Sequence, residues 1–354
     1  MVIDQLRLQN YRNYQKLDIS FSKKINIFFG NNGQGKSNLA EGIYFLCHLD
    51  SFRTHRFHNL VQFGNDFSQI KASLSKQGFP YETRIEIQKK GRKVWLNGGA
   101  VNKLSEYATQ FYAIAFNPDH LHAFRQISQE RRNFLNRYFA FIDKPYLQQL
   151  RDFRTVHSQK NRLLKNGEFS SLKDWNVLFV EKSCDIIKRR RETLDEMNEY
   201  LPHMFHRLTG RPEQLMMTYH PGLPEDKDKA AALVERSMER EKRAGHALHG
   251  AHRDDFQMAM GADRPDEFFS QGEYRISLLA LKLALGEILS KRAGFYPILI
   301  LDDLFSELDV SVRQNLQNYL KEIPNQVFVT ATEQLNGFEG TETRIMEIEA
   351  GQVL

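Results

Sequence analysis

Gly30-Asn31-Asn32-Gly33-Gln34-Gly35-Lys36-Ser37 is the stretch that decides the fold. It matches the Walker A phosphate loop without a gap. Ile25-Asn26-Ile27-Phe28-Phe29 precedes it, a short apolar run with the character of a buried strand. Leu39, Ile43 and Leu46 follow it at helical spacing. Each residue type has a physical task. Gly30, Gly33 and Gly35 permit tight turns and let backbone N–H groups approach phosphate oxygens. Asn31, Asn32 and Gln34 complete the loop. Lys36 brings a compact charge to the β and γ phosphates, at a helix start whose dipole also favours anions. The Ser37 hydroxyl is the expected Mg²⁺ ligand. The loop predicts a bound nucleoside triphosphate but does not separate a motor, a switch and a kinase.

Outward from the loop, Leu17, Ile19 and Phe21 alternate as on a half-buried strand. Phe67–Leu74, Tyr81–Gln88 and Arg92–Leu96 predict an antiparallel meander, broken at Gly78-Phe79-Pro80 and Lys90-Gly91. Phe111–Phe116 is a further strand. From Ser128 to Leu208 the pattern is helical and strongly charged. Val180, Cys184, Ile187, Leu194, Met197 and Leu201 form an apolar stripe near heptad spacing, interrupted by Arg191. Packing within a helical lobe accounts for that stripe better than an intermolecular coiled coil. Strands and helices then alternate again: a helix from Gly272 to Lys291, a strand at Ile298–Leu301, a helix at Val310–Glu322, and strands at Val327–Thr330 and Arg344–Ile348. The expected fold class is α/β. Residues 1–125 and 250–354 form one nucleotide-binding lobe on a mixed sheet, and residues 126–249 form an inserted α-helical lobe with a short arm.

Ile298-Leu299-Ile300-Leu301-Asp302-Asp303 is a buried strand ending in two carboxylates, the Walker B form. Asp302 is expected to hold Mg²⁺ through water, and Asp303 to orient or deprotonate the attacking water. Adjacent strand residues point to opposite sides, so the strand end has to bend to bring both to the phosphates. Asp is one methylene shorter than the Glu common at the second position, which predicts slow hydrolysis suited to a timer.

Phe268-Phe269-Ser270-Gln271-Gly272-Glu273-Tyr274-Arg275 precedes a long apolar helix and resembles the signature motif of ABC-type ATPases. Ser306-Glu307-Leu308-Asp309 resembles their D-loop. The resemblance implies that Ser270 and Gly272 grip the γ-phosphate held by a second subunit.

A closer resemblance, to the RecF family of bacterial recombination mediators, rests on stretches spread through the chain. They are Asn10-Tyr11-Arg12-Asn13-Tyr14, Asn38-Leu39-Ala40-Glu41-Gly42-Ile43-Tyr44, Ser51-Phe52-Arg53-Thr54, Glu130-Arg131-Arg132-Asn133-Phe134-Leu135, Gly250-Ala251-His252-Arg253-Asp254-Asp255 and Asp302–Asp309. It implies an ABC-type head like that of SMC proteins, without their long coiled coils. It implies ATP and Mg²⁺ as cofactors, an ATP-dependent homodimer, and weak DNA-stimulated ATPase activity. It also implies DNA partners, both double-stranded and gapped or single-stranded, with RecR, RecO and RecA in recombination, replication and the SOS response. The sequence departs from the family at Asn117-Pro118-Asp119-His120-Leu121 and at Ala251, where proline is usual. Thr332 falls near the switch histidine of transporter ATPases, so no residue is assigned to γ-phosphate sensing.

Composition narrows the alternatives. The net charge of +5 is permissive for nucleic acid but too modest to argue for it. Two cysteines cannot build a disulfide framework, and with no signal pattern or membrane-length apolar run they predict a cytoplasmic protein without membrane partners. Candidate DNA contacts are Arg53, Arg56, Arg131, Arg132 and Lys188–Arg191. His252, Asp254 and Asp255 lack zinc-site spacing and predict a structural role. The alternative function is the ATPase subunit of an ABC transporter; Asp303, the absent switch histidine and the charged insertion weigh against it. Walker A and B lie 267 positions apart, too close for SMC coiled coils. No Asn-Lys-x-Asp supports a guanine-nucleotide switch.

Overall fold

Inward Ile3, Leu6, Leu8, Tyr11, Tyr14, Leu17 and Ile19 build the first hairpin, β1 (Val2–Tyr11) with β2 (Tyr14–Ser20). The computed structural model describes residues 1–54, 56–261 and 264–354; the side chains of 105, 119 and 120, in the segment where the family departures begin, and of 144 lie outside the described ones. The chain continues through β3 (Ile25–Phe29), α1 (Lys36–His48), β4 (Phe67–Lys76), β5 (Phe79–Gln88), β6 (Gly91–Leu96), β7 (Gly99–Ala100), α2 (Leu104–Tyr107) and β8 (Ala113–Phe116). Then come α3 (Pro118–Gln126), α4 (Ser128–Ile142), α5 (Lys144–Asn166), α6 (Leu172–Thr209), β9 (Leu215–His220), α7 (Lys227–Ala244), β10 (Asp255–Met260) and β11 (Arg264–Pro265). The last part is α8 (Gln271–Ala293), β12 (Ile298–Asp302), α9 (Val310–Glu322), β13 (Val327–Ala331), β14 (Thr343–Glu349) and β15 (Gln352–Val353).

Two compact units result: residues 1–122, 207–210 and 271–354, and residues 123–206 with 211–270. The first holds two six-stranded sheets. One is antiparallel, in the order β2-β1-β4-β5-β6-β7. The other runs β15-β14-β3-β13-β12-β8, with β14, β3, β13, β12 and β8 parallel. Helix α1 packs against β8, β12 and β13 of the parallel sheet and β4 of the antiparallel one. It is therefore buried almost all round, not on the single face that Leu39, Ile43 and Leu46 suggest. Gln326, fully buried at the foot of β13, stitches the sheets together. Its amide accepts from Ile3 N (2.7 Å) and donates to Ile3 O and Ser22 O (both 2.8 Å).

The second unit differs from the expected all-helical lobe. Strands β11, β10 and β9 form a small antiparallel sheet. Strand β10, placed by the sequence reading with the nucleotide lobe, pairs with β9 from Asp255↔His220 to Met260↔Leu215. These strands are methionine-rich and short, so their periodicity is weak beside the helices around them. The apolar stripe of α6 is buried throughout, while Arg191 stays half-buried and pairs with Glu225.

Candidate nucleotide-binding site

The phosphate loop runs from the end of β3 into α1, at the carboxyl edge of the parallel sheet, where such folds collect ligands. Gly30, Gly33 and Gly35 all take positive φ (141°, 81° and 118°). Neighbours hold the loop. Asn13 Nδ2 donates to Gln34 O (3.0 Å), the Tyr14 hydroxyl to Gly35 O (3.0 Å), and Ala350 N to Gln34 Oε1 (2.6 Å). A Cβ on Gly35 would sit 2.6 Å from Asn13 Nδ2 and 2.9 Å from the Tyr14 hydroxyl. The cradle thus demands glycine there for space as well as for φ. Lys36 Nζ donates to Gly30 O (2.6 Å) and Asn31 O (2.8 Å), folding back over the loop. Burial lowers its pKa, against the opposing pull of Asp303 and Asp302.

The carboxylate pair arrives as expected, at the end of β12. Asp302 is buried, and its Oδ1 accepts from Ser37 Oγ (2.8 Å) and Thr330 Oγ1 (2.7 Å). Burial raises its pKa, against lowering by those two hydroxyls. Asp303 has φ 51°, the bend that turns the strand end, and its N–H donates to Thr330 Oγ1 (2.9 Å). That left-handed backbone is costly for a non-glycine residue and is the kind of strain functional sites hold. Asn32, Gly33, Gly35, Lys36, Ser37 and Asn38 with Arg53, Asp303 and Thr330 line a cavity of about 180 Å³. The hard oxygens of Ser37 and Asp302, touching each other beside that cavity, fit Mg²⁺ chemistry.

Ser270 is exposed at the end of one unit, and Gly272 sits in the first turn of α8 with nothing within 4 Å of where its Cβ would be. Gly272, which shares a unit with the phosphate cavity, does not line it. Further along α8, Arg275 pairs with Glu307 of the D-loop segment (2.7 Å), and Asp309 caps α9 through Val312 N (2.9 Å).

The model of the RecF/RecN/SMC N terminal domain family matches residues 2–348. A DNA replication and repair protein RecF from Geotalea uraniireducens (strain Rf4) is 33% identical over 363 residues, covering all of both chains. The chain belongs to the RecF family. Another RecF, from Bacillus cereus (strain B4264), is 34% identical across 94% of this chain and 92% of its own. Among solved structures, the recombination mediator protein RecF with ATPrS, of the RecFOR pathway, superposes with a TM-score of 0.86 at 26% identity, covering 99% of this chain and 97% of that one.

Three of the family stretches, those holding Arg12, Glu41 and Ser51–Thr54, meet beside this site. Arg12 pairs with fully buried Glu41 through both oxygens (2.8 and 2.7 Å), and Ser51 Oγ also donates to Glu41. Ser51 Oγ in turn accepts from Arg53 N (2.9 Å) and Thr54 N (3.0 Å), and Arg53 Nη1 donates to Asn38 Oδ1 (2.7 Å). Arg53 therefore faces the phosphate cavity. Sequence reasoning missed Asn13, Glu41 and Thr330 as site residues. A carboxylate amid the apolar residues of α1 was the one available signal, because a buried charge requires a partner.

Most of the candidate DNA contacts are tied up inside the second unit. Arg131 forks onto Asp255 (two bonds of 2.8 Å), and Arg132 donates to Asp254 O (2.6 Å). Arg190 is buried and donates to Asp254, Ala251 O (2.7 Å) and Asn136 Oδ1 (2.8 Å). Arg189 pairs with Asp143. Asp254 also accepts from Tyr219 and from Gly222 N (2.8 Å), so the His252–Asp255 segment is occupied by structural bonds. His252 stacks on His157 at 4.1 Å, and burial lowers its pKa to about 3. Arg56 and Lys188 remain exposed. No helix among the described residues is long and apolar enough to cross a membrane.

Proposed function

We propose that this chain is an ATP-controlled DNA-repair switch of the cytoplasm, closing into a dimer on DNA when it binds ATP. The observation that carries the reading is the incompleteness of the phosphate cavity. Lys36, Ser37, Asp302 and Asp303 converge there, while Gly272, half-buried in the first turn of α8, is not among the residues that line it. A second copy would supply that helix start to the γ-phosphate, so nucleotide favours the dimer only through contacts the dimer makes. Ser37 and Asp302 would hold Mg²⁺, which supplies charge neutralisation at the β and γ phosphates. Asp303 would align the attacking water, with Lys36 and Arg53 absorbing charge in the transition state. The short Asp303 side chain favours slow turnover, and hydrolysis would release the dimer. By kinship with RecF of the RecFOR pathway, the setting would be gapped DNA, with RecR and RecO as partners and RecA loading as the outcome. No observation favours the transporter reading.

Sedimentation with ATP, with ADP, and with ATP plus gapped DNA tests this. ATP should produce dimers, ADP should not, and Ser270→Arg should block dimers while leaving nucleotide binding intact. Dimers of Ser270→Arg in ATP would end the proposal.

A further inference from the structure

The outer face of the antiparallel sheet carries an arrangement that folding alone does not favour. Pairing registers place Asp18, Arg7, Lys71, Arg84 and Trp95 in one continuous row across β2, β1, β4, β5 and β6. Their strand neighbours Leu6, Leu8, Ile70, Ala72, Ile85 and Val94 point the other way, into the core. Three cations therefore stand side by side on adjacent strands, where like charges directly opposite each other destabilise a sheet. Asp18 compensates only one end, through Arg7 at 2.9 Å. Among the described residues neither Lys71 nor Arg84 forms an ion pair. Arg84 instead lies over the Trp95 ring at 3.8 Å. The row floors a groove of about 440 Å³, larger than the phosphate cavity and bordered by Gln5 and Glu82.

From this juxtaposition we infer that the Arg7–Lys71–Arg84 row, ending on Trp95, is a contact surface for the sugar–phosphate backbone of DNA. Neighbouring strands lie about 4.8 Å apart, so three cations span roughly 10 Å. One strand of duplex carries a phosphate every ~3.4 Å of axis, so that span faces about three phosphates. An aromatic ring at the end of a cationic track is the pairing that also holds unstacked bases. The inference rests on the DNA-switch reading and deepens it. It moves the contact from the arginines of the second unit, which are internally bonded, to a solvent-facing sheet.

Fluorescence anisotropy of labelled DNA, single-stranded and duplex, in ATP across a salt series tests it, with Lys71→Glu/Arg84→Glu against the parent. The variant should lose at least about tenfold in affinity, and its salt slope should fall by about two, one per phosphate contact removed. ATP-dependent dimers should persist. In a Trp175→Phe background Trp95 is the only indole, and its emission should change on adding DNA. Lys71→Gln/Arg84→Gln is the control for folding: it relieves like-charge crowding, should melt no lower than the parent, and should still lose severalfold in affinity. If the parent binds DNA and both variants match it in affinity and slope, the sheet is not the contact, while the DNA-switch reading stands. If the parent binds no DNA, both fall. If the variants lose binding to polyglutamate but keep DNA, the groove serves an acidic protein and the inference is overturned.

Discussion

Arg12→Met tests the support beneath the phosphate site. Glu41 is wholly buried in α1, and its charge is compensated by the Arg12 fork and the Ser51 hydroxyl. Removing one partner of a buried, fully bonded pair leaves a desolvated charge, a loss of about 3–5 kcal/mol. With a urea m-value of about 3 kcal/mol/M for a unit of this size, the midpoint should fall by more than ~1 M. Trp95 lies in the same unit, so its emission in a Trp175→Phe background follows the right transition. Arg12→Met/Glu41→Gln should lose less than the two single changes summed, with a coupling of about 1–3 kcal/mol. Function should follow. Glu41, left without its arginine, has to shift toward another partner and carries with it Ser51, whose hydroxyl holds the Arg53 and Thr54 amides, so ATP affinity should drop severalfold in calorimetry even where the variant is folded. Additive single and double variants, or an unchanged ATP affinity, would refute the reasoning that Glu41 is the keystone of the loop behind the cavity.

Other expectations can be checked separately. Lys36→Ala should abolish tight ATP binding by calorimetry, since Lys36 is the proposed phosphate cation and also the brace across Gly30 and Asn31. Asp303→Asn should fold normally, because Asn tolerates the φ of 51°, while single-turnover hydrolysis falls by about 10²–10⁴-fold and ATP dimers live longer. Lys282 is buried against Ala115 O (2.7 Å), and burial lowers its pKa from 10.5 to about 7. Between those values the unfolded chain holds the extra proton, so stability from this group is lowest below pH 7 and rises with pH, by up to about 1.4 kcal/mol per unit. Lys282→Met should remove that slope from the parent's urea midpoints measured between pH 7 and 10.

What was legible in the sequence was local chemistry. Strand β3, the loop from Gly30 to Ser37 and the acidic end of β12 carry their patterns in consecutive residues, so the elements of the proposed phosphate site were readable without a fold. Helix α9 and the meander were readable for the same reason: period and turn residues act within about ten positions. The two methionine-rich strands of the second unit were not, because their pairing partners, not their own pattern, make them strands.

The sequence by itself determined the Walker A loop and the acidic strand end, and it named from those motifs side chains that the fold brings to one cavity. Only the tertiary structure decided which other charges matter. Arg131, Arg132 and Arg190 look like free cations in a string of residues, yet each meets a carboxylate or carbonyl more than sixty positions away. Arg7, Lys71 and Arg84 look unrelated, yet strand register lays them side by side. The physical reason is that a charge's worth depends on its partners and its exposure. Those are set by which distant segments pair, a property that spacing along the chain does not carry.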